Sequence, residues 1–175
     1  MTQSVPDIRM RLASRILVVD GAMGTSIQAQ DLAPEDFGGT EYEGCNEYLN
    51  VTRPEIIKSI HRAFLNAGAD IIETNTFGST PLVLEEYGLG SQSEEISRLG
   101  AVLAKEAASE ANTPDKPRFV AGSMGPTTKA ISVTGGVEWD DLKDNYKSQA
   151  RGLISGGSDM ILVETSQDTL NVKAA

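Results

Sequence analysis

Polar side chains stand where the apolar segments of this sequence come to an end. The residues at these positions are Asp20, Glu73, Asn75, Ser123 and Glu164. Ligands of parallel α/β folds gather at the carboxyl ends of the strands, so we expect these side chains to face a common mouth. Carboxylates at such a mouth suit a ligand that carries an ammonium group, or a hard metal ion.

Backbone amides beside these side chains suit a negatively charged ligand group. Asp20 is followed by Gly21-Ala22-Met23-Gly24, and the small residues let backbone N–H groups approach a ligand closely. The Met124 amide lies next to Ser123 in the same way. Carboxylates together with free amides fit a zwitterionic amino acid better than a phosphate, which would need Lys or Arg. The alternative is that some of these residues only cap helices or tie loops together, and we favour that structural role for Glu73.

A repeated sequence pattern indicates how these residues are positioned. NAGAD precedes the apolar segment that ends in Glu73-Thr74, and SGGSD precedes the one that ends in Glu164-Thr165. A helix, a glycine turn and a strand, repeated, are typical of a parallel α/β architecture. The sequence predicts strands at 16–19, 70–78, 119–124 and 159–164, of which the continuously apolar first one is expected to be covered on both faces. It predicts helices at 53–67, capped by Thr52, at 94–111 and at 139–155, and a last helix capped by Asp168.

These elements make about four βα units, whereas a (β/α)₈ barrel needs twice as many. Neither a GxGxxG nor a GxxxxGK[ST] motif is present to suggest a nucleotide-binding sheet. We therefore predict an N-terminal arm or helix over 1–15. Residues 16–175 are expected to form the first half of a TIM barrel, truncated in its fourth helix.

The composition limits the other functions. A formal net charge of −10 disfavours nucleic acid and anionic membranes as partners, and no segment is typical of a membrane span or a secretory signal. One cysteine, Cys45, excludes an internal disulfide and fits the reducing cytoplasm. One histidine, His61, lies in the middle of a predicted helix, where we expect it at the surface or the boundary.

Several segments together resemble a known family. They are DGAMGT, CNEYLNVTRPEII, GADIIETNTFGST, VAGSMGPTTKAISVTGG and DMILVETSQDTLNVKAA, which follow one another from about Ile16 to the last residue. In this order they resemble the homocysteine-binding domain of cobalamin-dependent methionine synthases. The wider homocysteine methyltransferase family is similar mainly at Asp20-Gly21 and at Glu164.

The resemblance implies an enzyme of methionine biosynthesis. Its barrel would bind homocysteine, and zinc would activate the thiol to accept a methyl group from methylcobalamin. Separate domains of the full-length enzyme would bind folate and cobalamin. By position, Asp20 and Gly21 match the first-strand substrate motif, and Glu164 matches the residue that holds the substrate amino group. Asn75, Thr76 and Ser123 lie in matching strand-end motifs.

The metal site is where this sequence departs from the family. The family holds zinc with cysteines on late barrel strands, which this chain does not reach, and Cys45 lies in a segment that the family does not use for zinc. A catalytic zinc site needs about three protein ligands, which one Cys and one His cannot supply. We therefore expect no metal ligand and no catalytic residue within the chain, and no turnover by the 175 residues alone.

Three other interpretations stay open. The chain could belong to a zinc-dependent homocysteine methyltransferase that uses betaine or S-methylmethionine. It could be a non-catalytic half-barrel that self-associates, because strand edges at Val18 and Val163 would be exposed. Least expected is a complete small α/β enzyme that uses Asp20 and Glu164 as acid and base.

Overall fold

A parallel sheet forms the centre of the fold. The computed structural model describes residues 8–175. Strands β1 (Ile71–Glu73), β2 (Phe119–Met124) and β3 (Met160–Val163) lie in the order β1-β2-β3, all parallel. Ile71 pairs with Phe119, and Ala121 pairs with Met160. The α/β class and the parallel strands are as predicted, but β1 ends at Glu73, and residues 74–78 of the predicted strand form the polar loop after it.

The first predicted strand, 16–19, is only partly formed. Val19 makes a single parallel bridge to Ile71, on the side of β1 that faces away from β2. We expected this segment to be covered on both faces, but Ile16 is 88% exposed and Val18 is 57% exposed. The segment lies at the edge of the sheet, so within residues 8–175 no further strand pairs with its outer side. Only Leu17 packs into the core.

Three long helices cover one face of the sheet. They are α4 (Pro54–Ala67), α6 (Ser93–Ala111) and α7 (Trp139–Ser155), close to their predicted bounds. Leu65, Ala104 and Ala107 pack against Ile72 and Val120 of the sheet. Helices α6 and α7 approach so closely that a Cβ on Gly152 would lie 2.2 Å from the Glu94 carbonyl oxygen. None of the described helices is long and apolar enough to cross a bilayer.

The other face of the sheet carries Leu17, Ile71, Phe119 and Ala121, against which Ile8 of α1 (Ile8–Leu12) packs. This helix is the described part of the predicted arm over 1–15, of which residues 1–7 lie outside the description. Arg15 follows the helix and binds Asp70 at the start of β1. The arm thereby closes the amino-terminal end of the sheet.

Short helices complete the chain at the carboxyl end of the strands. They are α2 (Met23–Gln28), α3 (Leu49–Thr52), α5 (Pro81–Leu84) and α8 (Thr169–Ala174). Asp168 caps α8 as predicted, because its carboxylate accepts a hydrogen bond from the Leu170 amide. The loop before α3 is built from tight 3₁₀ turns and buries Cys45.

Candidate functional site

A cleft of about 390 Å³ opens at the carboxyl ends of the strands. All the side chains and glycines that the sequence singled out as substrate-binding line this one cleft: Asp20, Gly21, Asn75, Thr76, Ser123 and Glu164. They come from the turn after residue 19, from the loop after β1, from β2 and from the end of β3. Parallel pairing in chain order is what brings these separate segments together.

Four carboxyl side chains line the cleft, and three of them influence one another's ionisation. These three are Asp20, Glu73 and Glu164, and the lining residues of the cleft in the described part of the chain include no Lys, Arg or His. Asp20 Oδ1 accepts a hydrogen bond of 3.0 Å from the Glu73 amide. Burial nevertheless raises the pKa of Asp20 to about 7, and the neighbouring charges of Glu73 and Glu164 add to the increase.

Glu73 belongs to this carboxylate group, although we expected it to have a structural role. Burial raises the pKa of the Glu73 carboxyl, and the adjacent Glu164 carboxyl raises it further. Carboxylates this close repel each other unless a proton or a cation lies between them. The arrangement therefore favours a positively charged ligand group in the cleft.

Glu164 is held by hydroxyl groups. The Ser123 hydroxyl donates to Glu164 Oε1, and the Thr165 hydroxyl donates to Oε2 at 3.3 Å. The Glu164 amide donates to the Met124 carbonyl at 3.1 Å, which continues the strand pairing to this point. Thr165 has a φ of +51°, so the chain turns sharply directly after Glu164. These contacts fix the carboxylate without neutralising it.

Asn75 and Thr76 line the cleft, but their polar groups are engaged with the protein. Asn75 Nδ2 donates to the Asn46 carbonyl at 2.7 Å and to Asn50 Oδ1 at 3.2 Å. The Thr76 hydroxyl donates to the Ser123 carbonyl at 2.8 Å. Their direct contact with a substrate stays a prediction, whereas their support of the cleft walls is evident from these bonds.

The backbone amides are only partly where we expected them. Gly21 and Ala22 line the cleft directly beside Asp20. Met124 does not: its side chain is fully buried with Leu142 and Tyr146 on the helical side of the sheet. Met124 is not among the residues that line the cleft. The prediction for the Met124 amide was therefore wrong.

Sequence reasoning missed one charged residue of the cleft, Glu47. It comes from the loop before α3, and its Oε1 accepts a hydrogen bond of 2.7 Å from the Gly78 amide. Burial raises the pKa of this carboxyl. Glu47 ties the loop before α3 to the loop after β1 and so closes one wall, next to the half-exposed ring of Phe77. No periodicity in its segment signals this contact across 31 residues.

The comparison with protein families decides the assignment of this cleft. The family model described as homocysteine S-methyltransferase matches residues 17–175. The chain belongs to the homocysteine S-methyltransferase family. The resemblance that the strand-end motifs indicated is thereby confirmed, and each of the motifs lies within the matched range or begins at its edge.

Two relatives of this chain carry the name methionine synthase. One from Mycobacterium leprae is 46% identical over 169 residues, which cover 97% of this chain and 14% of the relative. One from Mycobacterium tuberculosis is 47% identical over 164 residues, which cover 94% of this chain and 14% of the relative. The chain thus spans about one seventh of the length of these relatives.

Solved structures confirm the fold of this chain. The oxidized form of the homocysteine methyltransferase MmuM from Escherichia coli has a TM-score of 0.78 at 24% identity, covering 96% of this chain and 59% of that one. Its metallated form has a TM-score of 0.78 at 23% identity, covering 96% of this chain and 60% of that one. At this identity the similarity concerns the architecture.

The described residues of this chain do not fit a zinc site. Within residues 8–175, no group of three or more His, Cys, Asp or Glu side chains is arranged to hold a metal ion. Cys45 is buried, and burial raises the pKa of its thiol to about 12, which opposes the thiolate that zinc binds.

His61 is equally unsuited to zinc, and our prediction of a surface position was wrong. It is 0% exposed, and neither ring nitrogen has a hydrogen-bond partner among the described residues. Burial lowers the pKa of the imidazole to about 4. The ring faces the packed interior of α4 because His61 lies four residues from both Ile57 and Leu65, which are buried.

Proposed function

We propose that this chain is the homocysteine-binding part of a methionine synthase. The observation that carries the proposal is the cleft itself, in which Asp20, Glu73 and Glu164 converge without a cationic side chain among its described lining residues. Three partly buried carboxylates in one cleft favour a ligand ammonium group. The family supplies the amino acid that carries this group, homocysteine.

The two ends of the amino acid have different partners in this proposal. Glu164 and Asp20 bind the ammonium group, and the Glu73 carboxyl lies beside them in the same cleft. The substrate carboxylate lies toward the backbone of Gly21 and Ala22, at the end of the cleft where small residues allow close approach. Ser123 holds Glu164 in place, while Asn75 and Thr76 hold the walls.

The described sheet fits half of a (β/α)₈ barrel. Residues 16–19, β1, β2 and β3 lie side by side in chain order, as barrel strands do, and a doubly wound sheet would instead reverse its order at a switch point. Val18 and Ile161 expose apolar side chains at the two edges. We propose that the edges are covered in a longer protein, since the chain spans 14% of its relatives.

Zinc and cobalamin belong to the full-length enzyme in this proposal. Zinc would lower the thiol pKa of homocysteine, and methylcobalamin would supply the methyl group. Because the described residues do not fit zinc, its ligands would come from outside this chain, as would the folate and cobalamin domains. What this chain contributes is recognition of the amino acid. We expect no turnover by these 175 residues alone.

Two other functions remain as alternatives. A homocysteine methyltransferase that uses betaine or S-methylmethionine would share this cleft, but identities of 46–47% to methionine synthases favour the cobalamin-dependent branch. Self-association of a half-barrel would use the strand edges at Val18, which is 57% exposed, and at Val163, which is only partly exposed. Sedimentation would reveal such a dimer as a doubled mass.

A pair of ligands tests the ammonium assignment. Calorimetry would compare homocysteine with 4-mercaptobutanoate, which lacks only the amino group. Loss of a charge-assisted hydrogen bond of about 1.5–3 kcal/mol should weaken binding by about tenfold to a hundredfold. Glu164→Gln should remove most of this preference. Asp140→Asn, on the exposed start of α7, serves as the matched control and should leave it intact. Equal affinity of the wild type for both ligands would refute the proposal.

A further inference from the structure

A buried amide on an outer helix reaches the ends of two strands. Gln149 of α7 is 0% exposed. Its Nε2 lies 2.6 Å from the Thr76 carbonyl oxygen, 3.2 Å from the Ser123 carbonyl oxygen and 3.1 Å from Ser79 Oγ. An amide nitrogen has two hydrogens, so these acceptors share them. One side chain thereby ties the loop after β1 to the end of β2.

Ser123 is the residue on which these contacts converge. Its amide donates to Thr74 Oγ1 at 2.9 Å, and its carbonyl accepts from the Thr76 hydroxyl as well as from Gln149. Its own hydroxyl donates to Glu164 Oε1. The position of the Glu164 carboxylate therefore depends on how firmly the backbone of Ser123 is held.

We propose that Gln149 is a positioning residue of the ligand site, which acts on Glu164 through Ser123. This inference rests on the proposed function for the identity of the ligand. Three acceptors fix the Nε2 end of the Gln149 amide, whereas its Oε1 has no hydrogen-bond partner among the described residues. The bonds donated by Nε2 are therefore the ones that connect the loop after β1 to Ser123. The Glu164 carboxylate, which binds the ligand, must be held within about 0.5 Å of its productive position. That tolerance is met only when the residues that support the carboxylate are themselves fixed.

The same helix offers a matched control. Asn145 lies one turn before Gln149, and its Oδ1 accepts a hydrogen bond of 2.7 Å from the Leu82 amide, while its Nδ2 donates to the Asp141 carbonyl. Asn145 thus ties α7 to α5 and does not touch the strand ends. Its loss should destabilise the fold without moving the cleft.

The test compares Gln149→Met with Asn145→Leu in the purified protein. Gln149→Met keeps the volume and removes the donors, so the homocysteine Kd should rise about threefold to tenfold. Asn145→Leu should lower the melting temperature but change the Kd less than twofold. Equal effects of the two variants on the Kd would overturn the proposal, because a general loss of packing would then explain both.

A double mutant tests the route through Ser123. In a Ser123→Ala background, Gln149→Met should change the Kd no further, since the hydroxyl that it positions is already absent. Independent, multiplying effects would contradict the proposed route. Thr76→Val removes the second donor to the Ser123 carbonyl and should behave like Gln149→Met. It provides the same test if Gln149→Met fails to fold.

A measurement without ligand separates this inference from the proposed function. The Ser123 amide resonance should shift in Gln149→Met and stay unchanged in Asn145→Leu, whether or not homocysteine binds. If the wild type does not bind homocysteine, the proposed function fails while this signal still tests Gln149. If the resonance does not respond to Gln149→Met, the positioning role is refuted.

Discussion

Acidic residues at the two ends of the same strands differ in whether they have cationic partners. At the amino end, Asp70 precedes β1 and binds both guanidinium nitrogens of Arg15, at 2.9 and 2.6 Å. Asp159 precedes β3 and binds Lys105 as well as the Val120 amide. At the carboxyl end, Glu73 and Glu164 close the same two strands next to Asp20, and no cationic side chain among the described residues lines their cleft.

The pKa values follow this difference. Arg15 holds the pKa of Asp70 down at about 2, although the Asp70 side chain is only 2% exposed. Burial raises the pKa of Asp20 to about 7, where no such partner is present. Acidic groups at the amino end therefore stabilise the fold, whereas those at the carboxyl end cost stability and are available to a cationic ligand. Parallel α/β enzymes separate stability and function along their strands in this way.

The largest expected effect comes from the amino end. Arg15→Ala leaves the Asp70 carboxylate without its ion pair, so we expect the free energy of unfolding at pH 7 to fall by more than the loss of an exposed ion pair would cause. Urea denaturation measures this change. Arg98→Ala removes an exposed pair with Glu95 on one helix and should cost about 0.5 kcal/mol or less.

The pH dependence of the Arg15 variant sharpens the comparison. The folded pKa of Asp70 is about 2, below the ordinary value of 3.8. The stability that it contributes is present above about pH 4 and is lost as the pH falls toward 2. The difference between wild type and Arg15→Ala should shrink over that window. A difference that does not change with pH would mean that packing, and not charge, is the main contribution of Arg15.

A variant at the carboxyl end should have the opposite sign. The folded pKa of Asp20 is about 7, above its ordinary value of 3.8, so its ionisation opposes folding increasingly as the pH rises through this window. Asp20→Asn keeps the oxygen that accepts from the Glu73 amide. We expect it to be more stable than wild type by about 2 kcal/mol at pH 8 and nearly equal at pH 4. Chemical denaturation at pH 8 and at pH 4 measures the difference in stability between Asp20→Asn and wild type. A variant less stable than wild type at both pH values would contradict the prediction.

The ionisation of Asp20 should also change the affinity for the ligand. An ammonium ligand binds the ionised form of Asp20, so the affinity for homocysteine should rise by about tenfold, or about 1.4 kcal/mol, between pH 6 and pH 8. Calorimetry over this range measures the increase. Asp20→Asn should flatten the profile, whereas Asp140→Asn should not. A flat wild-type profile would mean that Asp20 does not contact the ammonium group.

Much of this comparison could be predicted from the sequence. Asp20 and Glu164 were identified because each directly follows an apolar strand, and Asn75, Thr76 and Ser123 because they lie in the same strand-end motifs. The bounds of β2 and α7 were clear because their apolar patterns are long and uninterrupted. Local periodicity is sufficient wherever an element buries one continuous face.

The errors arose where contacts join distant segments. Glu47 closes the cleft through a bond to Gly78, and Gln149 reaches Thr76 across 73 residues. Neither contact leaves a periodic pattern in the sequence. The exposure of Ile16 was missed for a related reason, because an apolar run predicts a strand but not whether it lies at the edge of the sheet.

His61 gives the smallest predicted effect and shows that spacing could have corrected one of these errors. It lies on the same stripe of α4 as Ile57 and Leu65, and its folded pKa of about 4 is below the ordinary 6.5. A depressed histidine pKa means that the unfolded chain binds the proton more readily, so stability is lost as the pH falls from 6.5 toward 4. Wild type should lose about 1 kcal/mol between pH 7 and pH 5.5 through this residue.

His61→Leu isolates that contribution. The substitution removes the titrating ring but keeps an apolar side chain at a position that is fully buried. Its stability should therefore depend less on pH between 7 and 5.5 than that of wild type, whatever its absolute stability. Arg98→Ala, which changes no buried group, should retain the wild-type slope. If His61→Leu retains that slope too, the imidazole is hydrated in solution, and the acid sensitivity of the fold comes from its carboxylates alone.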